Sequence, residues 1–269
     1  MDSIRENEKL EDMIATIKAE LSYDIEHKLS FVLVEGSDDI KFVKKNFCNE
    51  NVVCYESFSG KSGLEQLVKD ARLEDERIIA IRDKDYVDKS ILPDRMWTYD
   101  TCCLETMMIK NRDVQEGMYK TYYDGDSQLD VFYESIFRQL MPISILRKKN
   151  EEEKKFINFN KMRLLECCNM EMVDTLTIFK NVGQDESMHE MCMAEGCEMP
   201  IDELYNITNG HDLCKILGFT FKSGKGEMGE QRIRDVMLCA FRKNDFAETE
   251  LYKDLSEYQS IHNVKYVDE

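Results

Sequence analysis

The chain is poor in the signals that would take it out of the ordinary globular class. It has only 3 prolines and 12 glycines in 269 residues, which argues against long disordered linkers. No window comes near 18 uninterrupted apolar residues, so a membrane span is not expected. The opening MDSIRENEKLEDM is charged and has no apolar stretch of the kind a secretion signal needs, so a cytoplasmic location is expected. Positive charge is also scarce: 36 Lys and Arg face 54 Asp and Glu, a net −18. Phosphate contacts by basic side chains dominate non-specific nucleic-acid affinity. A chain this acidic must therefore neutralise its own acids with cations, or borrow a basic surface from a partner, before it holds a nucleic acid.

Hydrophobic residues make up 42% of the chain, enough for a core without disulfides or structural metals. The 10 cysteines include the adjacent pairs Cys102–Cys103 and Cys167–Cys168 inside apolar stretches, where free Cys packs as a small hydrophobe. Basic clusters exist at Arg147-Lys148-Lys149 with Lys154-Lys155, and at Lys222 with Lys225. Their plainer reading is solvated helix faces and loops.

Residues Glu6 to about Lys28 place Leu10, Met13, Ile14, Ile17 and Leu21 at helical spacing, an amphipathic helix suited to a core or a partner. Short apolar runs then alternate with helical patterns. Strands are expected at Phe31–Val34, Val52–Tyr55, Ile78–Ile81 and Met96–Tyr99, with helices over Asp38–Phe47, through Leu64–Val68, and over Cys103–Ile109. This alternation specifies an α/β unit with a mostly parallel sheet, Rossmann-like, with flanking helices. From Asp113 onward the periodicity is helical, with stretches such as Leu129–Leu140, Met162–Cys168 and Ile233–Phe241, and the tail past Leu251 is acidic and polar, with fraying expected at its end. The expected division is an N-terminal helix over 1–29, an α/β domain over 30–112 and a mainly helical domain over 113–269.

The chemistry gathers where an α/β sheet places ligands, beyond the carboxyl ends of its strands. Glu35 and Gly36 follow the first strand, with Asp38 and Asp39 opening the next helix. Asp83 and Asp85 follow the third strand, one residue apart, so in an extended segment both point to one face. Glu105 follows the fourth strand. Each acid alone reads as a turn or helix-cap residue. Together, at successive strand ends, they crowd enough negative charge to require a cation. Oxygen donors suit Mg²⁺ (or Mn²⁺), and paired ions of this kind can clamp the oxygens of a phosphodiester.

These segments carry a family resemblance. LVEGSDDIKF (Leu33 to Phe42) resembles the opening motif of Toprim domains, and IIAIRDKDY (Ile78 to Tyr86) resembles their Asp-x-Asp motif. With YDTCCLETMMI (Tyr99 to Ile109), the arrangement is similar to the Toprim-domain nucleases that include the effector subunit of the PARIS phage-defence system, related to the OLD family. Gly60-Lys61 and Gly210-His211-Asp212-Leu213 match a Gly-Lys turn and a late motif often found in that group. The resemblance is densest over residues 30–110 and thinner to about 220.

It implies an acid/base or metal-linked role for Glu35, and metal binding by Asp83 and Asp85. It also aligns Asp39 and Glu105 with further metal ligands; Asp38 is one step out of register and is read as a helix cap. By the same resemblance the chain is expected to be a Mg²⁺-dependent endonuclease acting on RNA such as tRNA, or on DNA. Further implied are a toxic role in anti-phage defence and a separate ATPase partner subunit, with a homodimer left open.

Other features are weaker. Ser59-Gly60-Lys61-Ser62 is not a phosphate-binding loop, because Tyr55 stands where that motif needs glycine. Lys61, His211 and Lys225 remain candidates to stabilise developing charge. Their plainer readings are a turn, a capped helix start and a solvent loop. His189, Cys192 and Cys197 lack the paired spacing of a zinc site. Two readings from other classes stay open: a non-catalytic regulatory or assembly module with a structural ion, and nucleotidyl transfer of the primase kind.

Overall fold

A computed structural model describes residues 2–48, 50–169, 172–221 and 228–268. The chain divides into two compact units: residues 1–100 together with 242–269, and residues 101–241. This division differs from the expected segments 1–29, 30–112 and 113–269. The cause is the tail, which belongs to the first unit rather than to the helical one.

The first unit runs α1 (Asp2–Tyr23), β1 (Ser30–Val34), α2 (Ser37–Asn46), β2 (Val52–Glu56), α3 (Gly60–Lys69), β3 (Ile78–Arg82) and β4 (Met96–Thr98). The four strands form one all-parallel sheet in the order β2-β1-β3-β4. β1 and β3 are buried along their whole length, which explains their unbroken apolar runs: a central parallel strand is covered on both faces. The amphipathic face of α1 is used at home, with Ile14 and Ile17 buried against Phe31, Leu33, Leu67 and Ile78. No separate N-terminal segment results.

The second unit is helical: α4 (Leu104–Lys110), α5 (Arg112–Tyr122), α6 (Leu129–Glu153), α7 (Thr175–Asn181), α8 (Glu186–Gly196), α9 (Ile201–Ile207), α10 (Gly210–Thr220) and α11 (Glu230–Ala240). The expected boundary between 112 and 113 falls in the first turn of a helix, α5, anchored by buried Val114 and Met118. The stretch Met162–Cys168 is not a regular helix but two short turns, Phe159–Lys161 and Leu164–Cys167.

The chain then returns to the first unit with α12 (Lys243–Ala247) and α13 (Glu250–His262). As far as residue 268 the tail is packed. Phe246 packs edge-on to Phe42 and stacks on Phe47, both at 5.3 Å between ring centres. Tyr266 and Val267 are fully buried, and the Asp100 carboxylate accepts from the backbone N–H groups of Glu250 and Leu251, both at 2.9 Å. Polar composition concealed a few large apolar residues that do the anchoring. No helix among the described residues is long and apolar enough to cross a membrane.

Candidate active site

The strand order has a direct chemical consequence. From β1 the chain moves to one edge for β2, then crosses to the other side of β1 for β3. In such sheets the ligand crevice is expected outside the carboxyl ends of the strands where the order reverses, here β1 and β3. Glu35 and Asp83 are the first residues past these two strands. Parallel pairing in register, Phe31 with Ile78 through Val34 with Ile81, sets them side by side. The Asp83 backbone N–H donates to Glu35 Oε1 at 3.1 Å.

Around this pair the first unit collects most of the expected site. Asp39, in the first turn of α2, caps that helix by accepting from the Gly36 N–H at 3.0 Å. The cap role expected of Asp38 thus belongs to Asp39, while Asp38 pairs with Lys41 one turn on. Asp39 also accepts a 2.6 Å hydrogen bond from the hydroxyl of Tyr99, which is wholly buried. Lys61 lies in the first turn of α3, after Gly60 has turned the backbone through φ +52°, a conformation open to glycine at little cost. Its ammonium makes an ion pair with Asp85.

Asp85 does not share an extended face with Asp83. Its φ is +48°, a left-handed conformation that Asp tolerates better than most residues. Non-glycine residues held there cluster at functional sites. The turn brings Asp85 Oδ2 back toward Lys61 and the Arg82 guanidinium, the latter at 3.5 Å.

Arg82 and Tyr99 are the residues the sequence reading missed. Arg82 ends β3 with its side chain only 4% exposed, 3.8 Å from Glu35, 3.5 Å from Asp85 and 3.0 Å from Glu65. An arginine closing the apolar run Ile78–Ile81 was the available signal, since charge at a central strand end is seldom left unpaired. Tyr99 offered no such signal. It was one more aromatic after a strand.

The electrostatics follow from this crowding. Burial, together with the like charges of Asp85 and Asp39, pushes the Glu35 carboxyl up to about 7, against the pull of Lys61 and Arg82. Burial works against the Lys61 charge, but Asp85 and Glu35 outweigh it and hold the ammonium above its ordinary value. Burial and the Asp39 carboxylate push the Tyr99 hydroxyl well up, keeping it a donor.

The donor set suits a hard divalent cation in kind, being all oxygen. Asp85 Oδ2 is shut off from solvent and faces Lys61 and the Arg82 guanidinium. As the side chains stand, however, no three His, Cys, Asp or Glu among the described residues converge to hold an ion. Asp39 is committed to Gly36 and Tyr99, and Lys61 stands against Asp85.

No family model and no curated protein matches this chain.

The remaining expected site residues belong to the second unit or fall outside the described residues. Glu105 and His211 belong to the second unit, both gathered around Arg234 of α11. Glu105 meets Arg234 Nε at 2.9 Å. His211 is exposed, its Nδ1 2.5 Å from Glu230 and 2.6 Å from Arg234. Lys225 and Lys222 fall outside the described residues. His189 bonds Thr175 through Nε2 at 2.8 Å, Cys192 is buried and Cys197 is exposed, so no zinc ligand set forms among them. The basic run at 147–149 is spent on local acids: Arg147 on Asp212, Lys148 on Glu152, Lys149 on Glu195. A groove of about 520 Å³ between α5 and α11 is lined by Met118, Tyr122 and Val236 among others, and by none of the expected acids. Volume is no guide to the chemistry here.

Proposed function

We propose that this chain is a metal-dependent nuclease of the Toprim type, cutting phosphodiester bonds in RNA such as tRNA or in DNA. The observation that supports it most is the pairing of β1 with β3, which sets Glu35 beside Asp83 at the crevice, with Lys61 and Asp85 against them. Glu35, its carboxyl at about 7, can take a proton from an attacking water or return it to a leaving oxygen near neutral pH. Its Oε1 is held by the Asp83 N–H, which leaves Oε2 as the atom that exchanges the proton. Asp83 and Asp85, with Asp39, are the residues that would hold Mg²⁺ or Mn²⁺. When bound, that ion supplies neutralising charge at the scissile phosphate. Lys61 and the buried Arg82 add positive charge on the same side. A role as a toxic effector of phage defence, acting with an ATPase partner, is part of the same reading and rests on the motif resemblance. A partner would also offset the net −18, which on its own repels nucleic acid.

The second reading, a non-catalytic module, is favoured by one observation: Lys61 and Arg82 already neutralise the cluster internally. Glu35→Gln with Asp83→Asn separates the two. Cleavage of tRNA, total RNA and plasmid DNA, assayed with Mg²⁺ or Mn²⁺ and with the host ATPase supplied, should fall by about a thousandfold or more. Undiminished cleavage by the double variant would overturn the nuclease reading.

A further inference from the structure

One aromatic ring of the helical unit stands apart from the others. Phe156 is 89% exposed, whereas every other phenylalanine of the chain is buried or half-buried. It follows α6 in a loop whose backbone turns left-handed twice, at Lys154 (φ +51°) and at Phe156 itself (φ +55°). A bulky side chain rarely accepts that conformation, and residues held in it gather at functional sites. The loop is clamped. Asn150, in the last turn of α6, accepts the Lys155 N–H on its carbonyl at 3.1 Å and the Ile157 N–H on its Oδ1 at 2.7 Å. Those two bonds bracket Phe156 and fix the backbone from which its ring projects. Phe159, three residues on, has a planar partner in the Arg147 guanidinium, 4.3 Å from its ring centre. Phe156 has none among the described residues.

The charge around this ring has one sign. Residues 154–165, KKFINFNKMRLL, include Lys154, Lys155, Lys161 and Arg163 and no acid, in a chain of net −18. Lys154 and Lys161 are exposed, and neither is paired with an acid among the described residues. Lys155 and Arg163 meet Glu153 and Glu166 in pairs open to solvent, which are worth little and readily exchanged. Of the acids just before the loop, Glu152 and Glu153 face Lys148 and Lys155. A bare ring framed by ammonium groups suits a single nucleic-acid strand: a base stacks on the ring and its phosphates meet the cations. The core of a protein interface is instead depleted of charge. We propose that this loop binds single-stranded nucleic acid, with an unpaired base stacked on Phe156 and the flanking phosphates on Lys154, Lys155 and Lys161. As the substrate-holding surface of a nuclease it rests on the reading above; as a binding site it needs neither metal nor cleavage.

The test is binding of short fluorescent oligoadenylate, as RNA and as DNA, to the full chain in EDTA, read by anisotropy. Phe156→Ala removes no core packing and should weaken binding about tenfold. Phe156→Trp should keep it, with an emission that the strand quenches and an abasic strand of the same length does not. Lys154→Gln with Lys161→Gln should lower the slope of log affinity against log salt by about one to two. A duplex of the same length keeps its bases stacked inside, so Phe156→Ala should bind it within about twofold of the unaltered chain. Either strand bound with this dependence on the ring supports the proposal, and the tighter of the two names the source. Strand binding by Phe156→Ala within about twofold of the unaltered chain overturns it and leaves the ring to a protein partner. An equal loss on the duplex, the mark of a damaged fold, also overturns it, as does the absence of binding to both strands. Failure of the nuclease reading looks different: Glu35→Gln with Asp83→Asn would cleave undiminished while Phe156→Ala still bound the strands more weakly.

Discussion

The two units of this protein both press carboxylates against arginine, and they settle the charge in opposite ways. In the helical unit the buried acid Asp212 has its own guanidinium. Asp212, 3% exposed, receives two hydrogen bonds from Arg147 at 2.7 and 3.2 Å, and that guanidinium also lies over the Phe159 ring at 4.3 Å. Glu105 meets Arg234 at 2.9 Å, a guanidinium that Glu230 and His211 also touch. Gly210 admits the Glu105 carboxylate so closely that a Cβ there would sit 2.1 Å from its Oε2. In the α/β unit Glu35 and Asp85 share Lys61 and Arg82, with Arg82 divided a third way by Glu65. Equal pairing makes a lock. Uneven sharing leaves a carboxyl near 7, a condition that costs stability and suits chemistry.

The sharpest way to break this contrast is at its stable end. Arg147→Ala leaves the Asp212 carboxylate buried without its partner. Unfolding of the full chain in urea should show a loss of about 3 kcal/mol. A loss below about 0.5 kcal/mol, the range of ordinary surface changes, would mean that the matched pair of the helical unit locks nothing.

At the other end, Glu35→Gln should stabilise. The Glu35 carboxyl is raised from 4.5 to about 7 on folding, so between those values the folded chain keeps a proton that the unfolded chain has lost. Stability therefore falls as pH rises through this window, and the full cost is present above it. The neutral amide removes that cost, and its oxygen can still accept from the Asp83 N–H. The variant should gain about 2 kcal/mol near pH 8, shrinking to nothing below about pH 4.5, as followed by thermal melts across pH. A variant less stable than the parent at the alkaline end would show the cluster to be balanced after all.

The smallest expected effect concerns Asp39. Tyr99→Phe removes the 2.6 Å donor from a wholly buried position. A loss of about 1 kcal/mol is expected in the same urea titration. If Asp39 is instead freed to join a bound cation, added Mn²⁺ should restore part of that loss.

Much of this was legible along the chain, and the physics says which part. Apolar runs of four or five residues bounded by turn residues announced the strands, because a central parallel strand has no solvent face to alternate toward. The Glu35 and Asp83-x-Asp85 motifs sat at their ends and were found there. Glu105 was legible as an acid past β4, but nothing local told of Arg234, far along the chain at 234. The basic run at 147–149 read as a solvated helix face because two of its partners, Asp212 and Glu195, are distant in sequence. The tail looked frayed because burial of Tyr266 and Val267 depends on surfaces more than two hundred residues earlier, as in the bond from the Lys265 N–H to Ser30 Oγ.

The sequence by itself determined the α/β pattern, the order of the strands along the chain, and the acids waiting at their ends. Those follow from local periodicity, which needs only neighbours. Tertiary structure decided the order of the strands in the sheet, and so that β1 and β3 are adjacent and Glu35 meets Asp83. It also decided which cation stands beside which acid, because Coulomb energy depends on distance and burial, not on position in the chain. That choice set Arg234 on Glu105, Arg147 on Asp212, and left Lys61 and Arg82 to share the rest.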